Sequence, residues 1–168
     1  ISFDGLRPDD SDTDDDALLV LAGATHLLPG EPFPRALATG MLPADDPHRP
    51  DDAVNRLLAL GLLERSGGGL RLHRLLAAFV AGAVARIDQA PRERATSAGE
   101  DDRAGLLDAA RAALEDAVER ALARANDAGD RRSLRGAAGQ LRHVVDRAAA
   151  RADEAAARLC GHLGYYLD

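Results

Sequence analysis

Apolar residues recur along this chain at helical spacing over most of its length, interrupted once by a short alternating stretch. From about Asp15, the residues Leu18, Leu19, Leu21, Ala22, Thr25 and Leu28 keep a three-to-four-residue interval, and Pro29–Gly30 ends it. The pattern predicts a second helix over about 33–41, with Pro34 suited to its first turn. "PADDPHRP" carries too many breakers for regular structure and reads as a loop. A third helix is expected from Pro50 through Val54, Leu57, Leu58 and Leu60, capped by Gly61. In "LLERSGGGLRLHRLLAAFV", residues 62–80, Leu62–Arg65 and Leu70–Leu72 alternate about the turn Ser66–Gly69, which predicts a hairpin. Leu72, Leu75, Leu76, Phe79 and Ala83 then form the expected apolar stripe of a fourth helix.

Three helices, a glycine hairpin and a closing helix make a winged-helix arrangement, expected over residues 15–87 behind a connector at 1–14. "DQAPRERATSAGEDD" at 88–102 is polar and reads as a linker. Beyond it, residues 103–168 carry three helical patterns. The first runs over about 103–126 and breaks at "NDAGD", the second covers about 133–151, and the third starts near Asp153. Abundant alanine points to close antiparallel packing. The expected fold class is therefore mainly α, a winged-helix domain followed by an antiparallel helical segment.

Composition narrows the chemistry. All 21 basic residues are arginine, so no phosphate-binding, Schiff-base or general-base lysine comes from this segment. No apolar run approaches a membrane span and no secretory signal is present. Cys160, the one cysteine, cannot form an internal disulfide, and the expected compartment is the cytoplasm. Within "ARLCGHLGYYL" it reads as a small buried hydrophobe. Residues 1–90 hold 14 acidic residues against 8 arginines, a poor match to nucleic-acid phosphates. "PDDSDTDDDA" lacks the ligand ladder of a calcium loop and reads as a solvated linker with helix-capping carboxylates. His26, His48, His143 and His162 have no metal-ligand spacing with one another or with Cys160. Neither a nucleophile elbow nor a glycine-rich phosphate loop occurs, so the chain is not expected to be an enzyme.

His73 is the one candidate binding residue. Alternation in the second wing strand turns it away from Leu70 and Leu72, and it stands where a helix begins. Free backbone N–H groups and the helix dipole favour an anion there. The bland alternative is a histidine that only caps the helix.

"AVNRLLALGLLERSGGGLRLHRLLAAFV" resembles the winged-helix module of STAND-type NTPases, the NB-ARC class. Bacterial members place that module between a nucleotide-binding core and tetratricopeptide repeats. "AARLCGHLGYYLD" in turn resembles the first helix of such a repeat, with Leu163–Gly164 matching its Leu-Gly pair and Cys160 and Leu167 at its bulky core positions. The resemblance implies a truncated segment of a longer chain, which begins here at Ile1. Its partners are then an upstream nucleotide-binding domain, downstream repeats and other proteins. It implies no cofactor in this segment and ADP or ATP in the parent protein. In that family a Met-His-Asp triplet carries a histidine that contacts the β-phosphate of ADP. The matching triplet here is Leu72-His73-Arg74, with Arg74 in the place of the acid.

The competing reading is a DNA-binding winged helix of a transcription regulator, with residues 50–60 as recognition helix. Only Arg49 and Arg56 stand there against Asp51 and Asp52, and the wing adds Arg65 and Arg71. The Gly67–Gly69 wing is expected to accept serine wherever φ permits.

Overall fold

A computed structural model describes residues 5–7, 11–43, 46, 48–89, 105–129 and 134–167. They form seven α-helices and one small antiparallel hairpin: α1 Asp12–Ala24, α2 Arg35–Thr39, α3 Arg49–Ala59, β1 Glu64–Ser66, β2 Gly69–Arg71, α4 Arg74–Gln89, α5 Leu106–Asp127, α6 Ala138–Ala149 and α7 Glu154–Leu167. The mainly helical expectation holds. No described helix is long and apolar enough to cross a membrane. Residues 90–102 of the expected linker lie outside the described residues, and its first two finish α4.

α1 starts at Asp12, within the expected connector, because Ser11 caps it and Asp12, Asp14 and Asp15 suit the positive end of its dipole. The acidic run is not a solvated linker throughout. Asp14 and Asp16 are buried, and each meets an arginine of α3. Arg56 Nε donates to Asp14 at 2.7 Å and Arg49 Nε to Asp16 at 2.5 Å. A carboxylate is removed from water only at a large penalty unless a cation replaces it. These pairs therefore fix how α1 crosses α3.

The hairpin pairs Glu64 with Arg71, Arg65 with Leu70 and Ser66 with Gly69. Gly67 and Gly68, both at positive φ, make the two-residue turn that such a ribbon needs. Phe33, between α1 and α2, exchanges both backbone hydrogen bonds with Leu70 at 2.8 Å and adds a third pairing segment. That pairing corrects the expectation for the wing. A Cβ at Gly69 would strike the Phe33 carbonyl oxygen, so serine is excluded there whatever its φ.

α4 also departs from its expected stripe. Of that stripe Leu72, just before the helix, and Ala83 are buried and Leu76 partly so. Ala77, Val80 and Val84 join them in the core, whereas Leu75 is 71% exposed and Phe79 52%. The buried line is rotated from the expected one, leaving two bulky residues on its flank. Cys160 is likewise exposed rather than buried. α7 covers itself with Ala156, Leu159, Leu163 and Tyr166, and Cys160 and Leu167 fall off that face.

The buried apolar side chains of both halves belong to one continuous cluster. α5 packs on α1, α2 and α4 on one side and on α6 and α7 on the other. Gly23 of α1 permits this approach, since a Cβ there would lie 2.5 Å from Met41 Sδ and 3.3 Å from the Ala110 carbonyl oxygen. Gln140 of α6 adds a polar tie. Its Oε1 accepts from the Leu28 N–H at 2.7 Å, and its Nε2 donates to the carbonyls of Glu31 (3.1 Å) and Pro32 (3.3 Å).

Candidate functional site

β2 delivers the chain to His73. Leu70 and Leu72 go into the core, Arg71 stays half-exposed and His73 is exposed, as alternation requires. α4 begins at the next residue. The Ala77 N–H donates to the His73 carbonyl at 2.9 Å, the first helical bond of α4. The Leu75 N–H donates to His73 Nδ1 at 3.3 Å. His73 thus caps α4 with its own ring, a role usually taken by Ser, Thr, Asp or Asn.

The cap has a chemical consequence. A ring nitrogen that accepts a hydrogen bond cannot carry the proton, so the neutral imidazole holds its proton on Nε2. Nε2–H is then a donor on an exposed residue at a helix N-terminus, surrounded by amides that favour negative charge. Arg74 is exposed and makes no side-chain hydrogen bond to a described residue. Gly30 packs close behind it, where a Cβ would lie 3.9 Å from Arg74 Cβ. The position that the resemblance fills with an acid holds a cation here.

Beside His73 runs a groove of about 410 Å³ floored by Leu62, Leu75, Leu76 and Phe79, with Glu64 on its wall. Glu64 pairs with Arg71 across the hairpin at 2.8 Å. That guanidinium lowers its carboxyl pKa. The groove is an apolar shelf with a histidine and a paired acid at its rim. Among the described residues, no arginine lines it to clamp an anion.

Of the arginines that could serve a nucleic acid, Arg65 is exposed with no side-chain partner among the described residues, while Arg71 pairs with Glu64 and the others are turned to other tasks. Arg49 and Arg56 of α3 reach Asp16 and Asp14, and Arg35 holds Asp51 at 2.7 Å and Asn55 at 3.1 Å. On the exposed face of α3 stand Asp51, Asp52 and Asn55.

The other histidines are dispersed. His26 follows α1, His48 precedes α3, His143 lies on α6 and His162 on α7. No three His, Cys, Asp or Glu side chains among the described residues could hold a metal ion together. Gln140 and the paired Asp14 and Asp16 were missed by sequence reasoning. A lone glutamine beside Leu141 on an apolar helix face was the signal available for the first.

With this geometry in hand, comparison with family models, curated proteins and solved structures gives no match to the chain.

Proposed function

We propose that this chain is a non-catalytic regulatory and coupling module of a STAND-type signalling NTPase. It links an adjoining nucleotide-binding switch to helical repeats that bind a protein or another ligand. The order of elements supports the reading. Three helices precede a hairpin, a segment between the first two helices pairs with the second hairpin strand, and a further helix follows. A winged helix has that order, which supports the reading. α5 and α7 run side by side in the same direction, with Glu115, Glu119 and Asn126 meeting Arg151, Arg158 and His162 in turn, as the first helices of successive repeats do. A cytoplasmic setting belongs to the same proposal.

The observation that carries it is the cap at His73. Nδ1 is occupied by the Leu75 N–H, which leaves Nε2 as an outward donor where the resemblance expects a contact to the β-phosphate of ADP. A single hydrogen bond, even to a charged phosphate, contributes only about 1.5–3 kcal/mol, too little for a nucleotide site by itself. The segment should therefore hold no ADP alone, and His73 should act only beside a nucleotide already bound upstream. Arg74 takes the place of the acid in the resembled triplet, so His73 lacks that local partner.

The charges on α3 weigh against the DNA-binding alternative. Its recognition helix would present Asp51 and Asp52 outward while Arg49 and Arg56 are engaged with buried carboxylates. Freeing either arginine for a phosphate would strand a buried charge. A mobility shift on a random duplex at low salt should show no complex.

The deciding experiment is ADP release from the full-length parent protein and its His73→Ala variant, with folding checked by melting. Losing one hydrogen bond to a charged phosphate costs about 1.5–3 kcal/mol. That predicts roughly ten- to hundredfold faster release. Unchanged release from an equally stable variant would reduce His73 to a helix cap and remove the nucleotide-sensing role.

A further inference from the structure

A second histidine stands in a different electrostatic setting. His26 follows α1, half-buried, and its Nε2 is enclosed without a hydrogen-bond partner among the described residues. It lines a cavity of about 220 Å³ between α1, α5 and α6. Arg111, Arg147, Arg151 and Glu115 share that cavity, three guanidiniums against one carboxylate.

The cations are not equivalent. Glu115, buried on α5, holds Arg151 through two contacts of 2.9 and 2.7 Å and Arg111 at 3.2 Å. Arg151 also bonds Asp153 at 2.9 Å, and Arg111 reaches Asp108 at 3.6 Å. Arg147 makes no side-chain hydrogen bond or ion pair to a described residue and stands exposed at the rim. The lining is thus an Arg–Glu–Arg frame that is internally satisfied, plus one uncommitted guanidinium and one enclosed imidazole nitrogen. Both uncommitted groups are suited to the same kind of ligand.

The Leu107 carbonyl accepts a hydrogen bond from the ring, and because Nε2 has no partner that bond comes from Nδ1, so Nε2 carries a hydrogen only in the imidazolium. We propose that this cavity binds a small oxyanion of the sulfate or phosphate class, held between Arg147 and the Nε2–H of the protonated His26 ring. The volume excludes a nucleotide and admits a compact anion. In the neutral ring the enclosed Nε2 is an acceptor without a donor, and protonation together with a bound oxyanion pairs it. Burial, and after it the Arg147 charge, lower the His26 pKa, so the empty site holds a neutral ring. An entering dianion offsets the Arg147 charge and favours imidazolium. By linkage, the anion then binds more tightly to the protonated ring, and affinity rises as pH falls. The charged groups around the ring on every packed element are those named, with His143 one turn before Arg147 on α6 also held below its usual pKa. Because His26 belongs to the α1 end and Arg147 to α6, the ligand would bridge the hairpin half and the helical half. The site is independent of any nucleotide contact at His73.

Sulfate is the probe, since it stays a dianion where imidazole titrates. The intact 168-residue chain is titrated by NMR in sulfate and in chloride at equal ionic strength, following the His26 ring. Sulfate should raise the His26 pKa and bind about tenfold more tightly at about pH 5 than at about pH 8. Arg147→Gln, an exposed change, should weaken sulfate at least about threefold. Arg142→Gln, on the same helix outside the lining, should leave it unchanged. Identical His26 titrations in the two salts, or equal sulfate affinity of the two arginine variants, would overturn the proposal. Neither result bears on ADP release, so it fails or stands apart from the role of His73.

Discussion

Gln140 offers the sharpest test of how the two halves are joined. It is 2% exposed, on a helix whose other buried residues are all apolar. Replacing it with leucine keeps the volume but removes every bond to the 28–32 loop. The Leu28 N–H, bonded at 2.7 Å, loses its acceptor within a partly buried turn. A donor stranded that way costs about 1–3 kcal/mol. Losing the 3.1 Å bond to the Glu31 carbonyl adds about 0.5–1.5 kcal/mol, while the bonds at 3.3 and 3.4 Å add little. Gln140→Leu should therefore destabilise the chain by about 2–4 kcal/mol in urea denaturation.

Gln140→Glu separates the hydrogen-bond account from simple packing. A carboxylate keeps an acceptor for Leu28 but turns its second oxygen towards carbonyls, which favours the protonated acid. Its folded pKa should lie above the unfolded value. The variant should then be most stable below the ordinary glutamate pKa and lose stability as pH rises through the raised one. Wild type, with a neutral amide there, has no such dependence from this site. A Gln140→Leu variant within about 0.5 kcal/mol of wild type, or a Gln140→Glu variant indifferent to pH relative to wild type, would refute the tie.

Other consequences are as direct. Cys160 is exposed, so an aromatic disulfide reagent should label it in the native protein as fast as in urea; strong native protection would restore the buried reading. Leu75→Ser should cost under about 0.5 kcal/mol, because that residue faces solvent. Leu70→Ala, removing a side chain buried beside Phe33, should cost about 2–5 kcal/mol, and comparable losses would place Leu75 in the core after all. Asp14 has its pKa lowered, chiefly by the Arg56 hydrogen bond. A depressed carboxylate stabilises the fold above its unfolded pKa, and that contribution fades as pH falls through the folded one. Asp14→Asn should therefore be less stable than wild type near neutrality, with a flatter decline on acidification; parallel declines would show that the pair carries no pH dependence.

The parts of this fold that were legible in the sequence are those governed by local rules. Gly61 at positive φ, the Gly67–Gly68 turn and the proline in the first turn of α3 follow from backbone preference alone. The helices followed from periodicity. What the pattern could not give was direction around the helix axis. Leu75 and Phe79 satisfy the spacing of a buried stripe, yet the partner that decides which side is covered is α5, more than twenty residues downstream. Cys160 was misread for the same reason, since Leu159 and Leu163 define a face that passes it by. The buried aspartates were illegible in another way. Composition marks a run of acids as solvated, and only the arrival of Arg49 and Arg56 from α3 makes two of them interior. The candidate His73 was found because its signal was local, strand alternation followed by a helix start.

The segment from residue 28 to residue 33 explains how a contact at His73 could reach the distal helices. On one side the Gly30 N–H donates to the Leu72 carbonyl at 3.1 Å, and Phe33 pairs with Leu70, so the segment is fastened to the strand that ends at His73. On the other side Gln140 fastens Leu28, Glu31 and Pro32 to α6. His73 is one residue from a carbonyl that the segment holds, and α6 is one side chain from the segment's other face. Buried hydrogen bonds of this kind are made or broken rather than stretched, because an intermediate geometry leaves polar groups unpaired. Displacing His73 therefore either carries the 28–33 segment and α6 along together or breaks the bonds at Gly30 or at Gln140. On the proposed coupling role, those two junctions are one hydrogen-bonded route between His73 and α6. The packing of α4 on α5 and of α5 on α6 is a second route, so breaking the Gly30 or Gln140 bonds should weaken the coupling between His73 and α6 rather than abolish it.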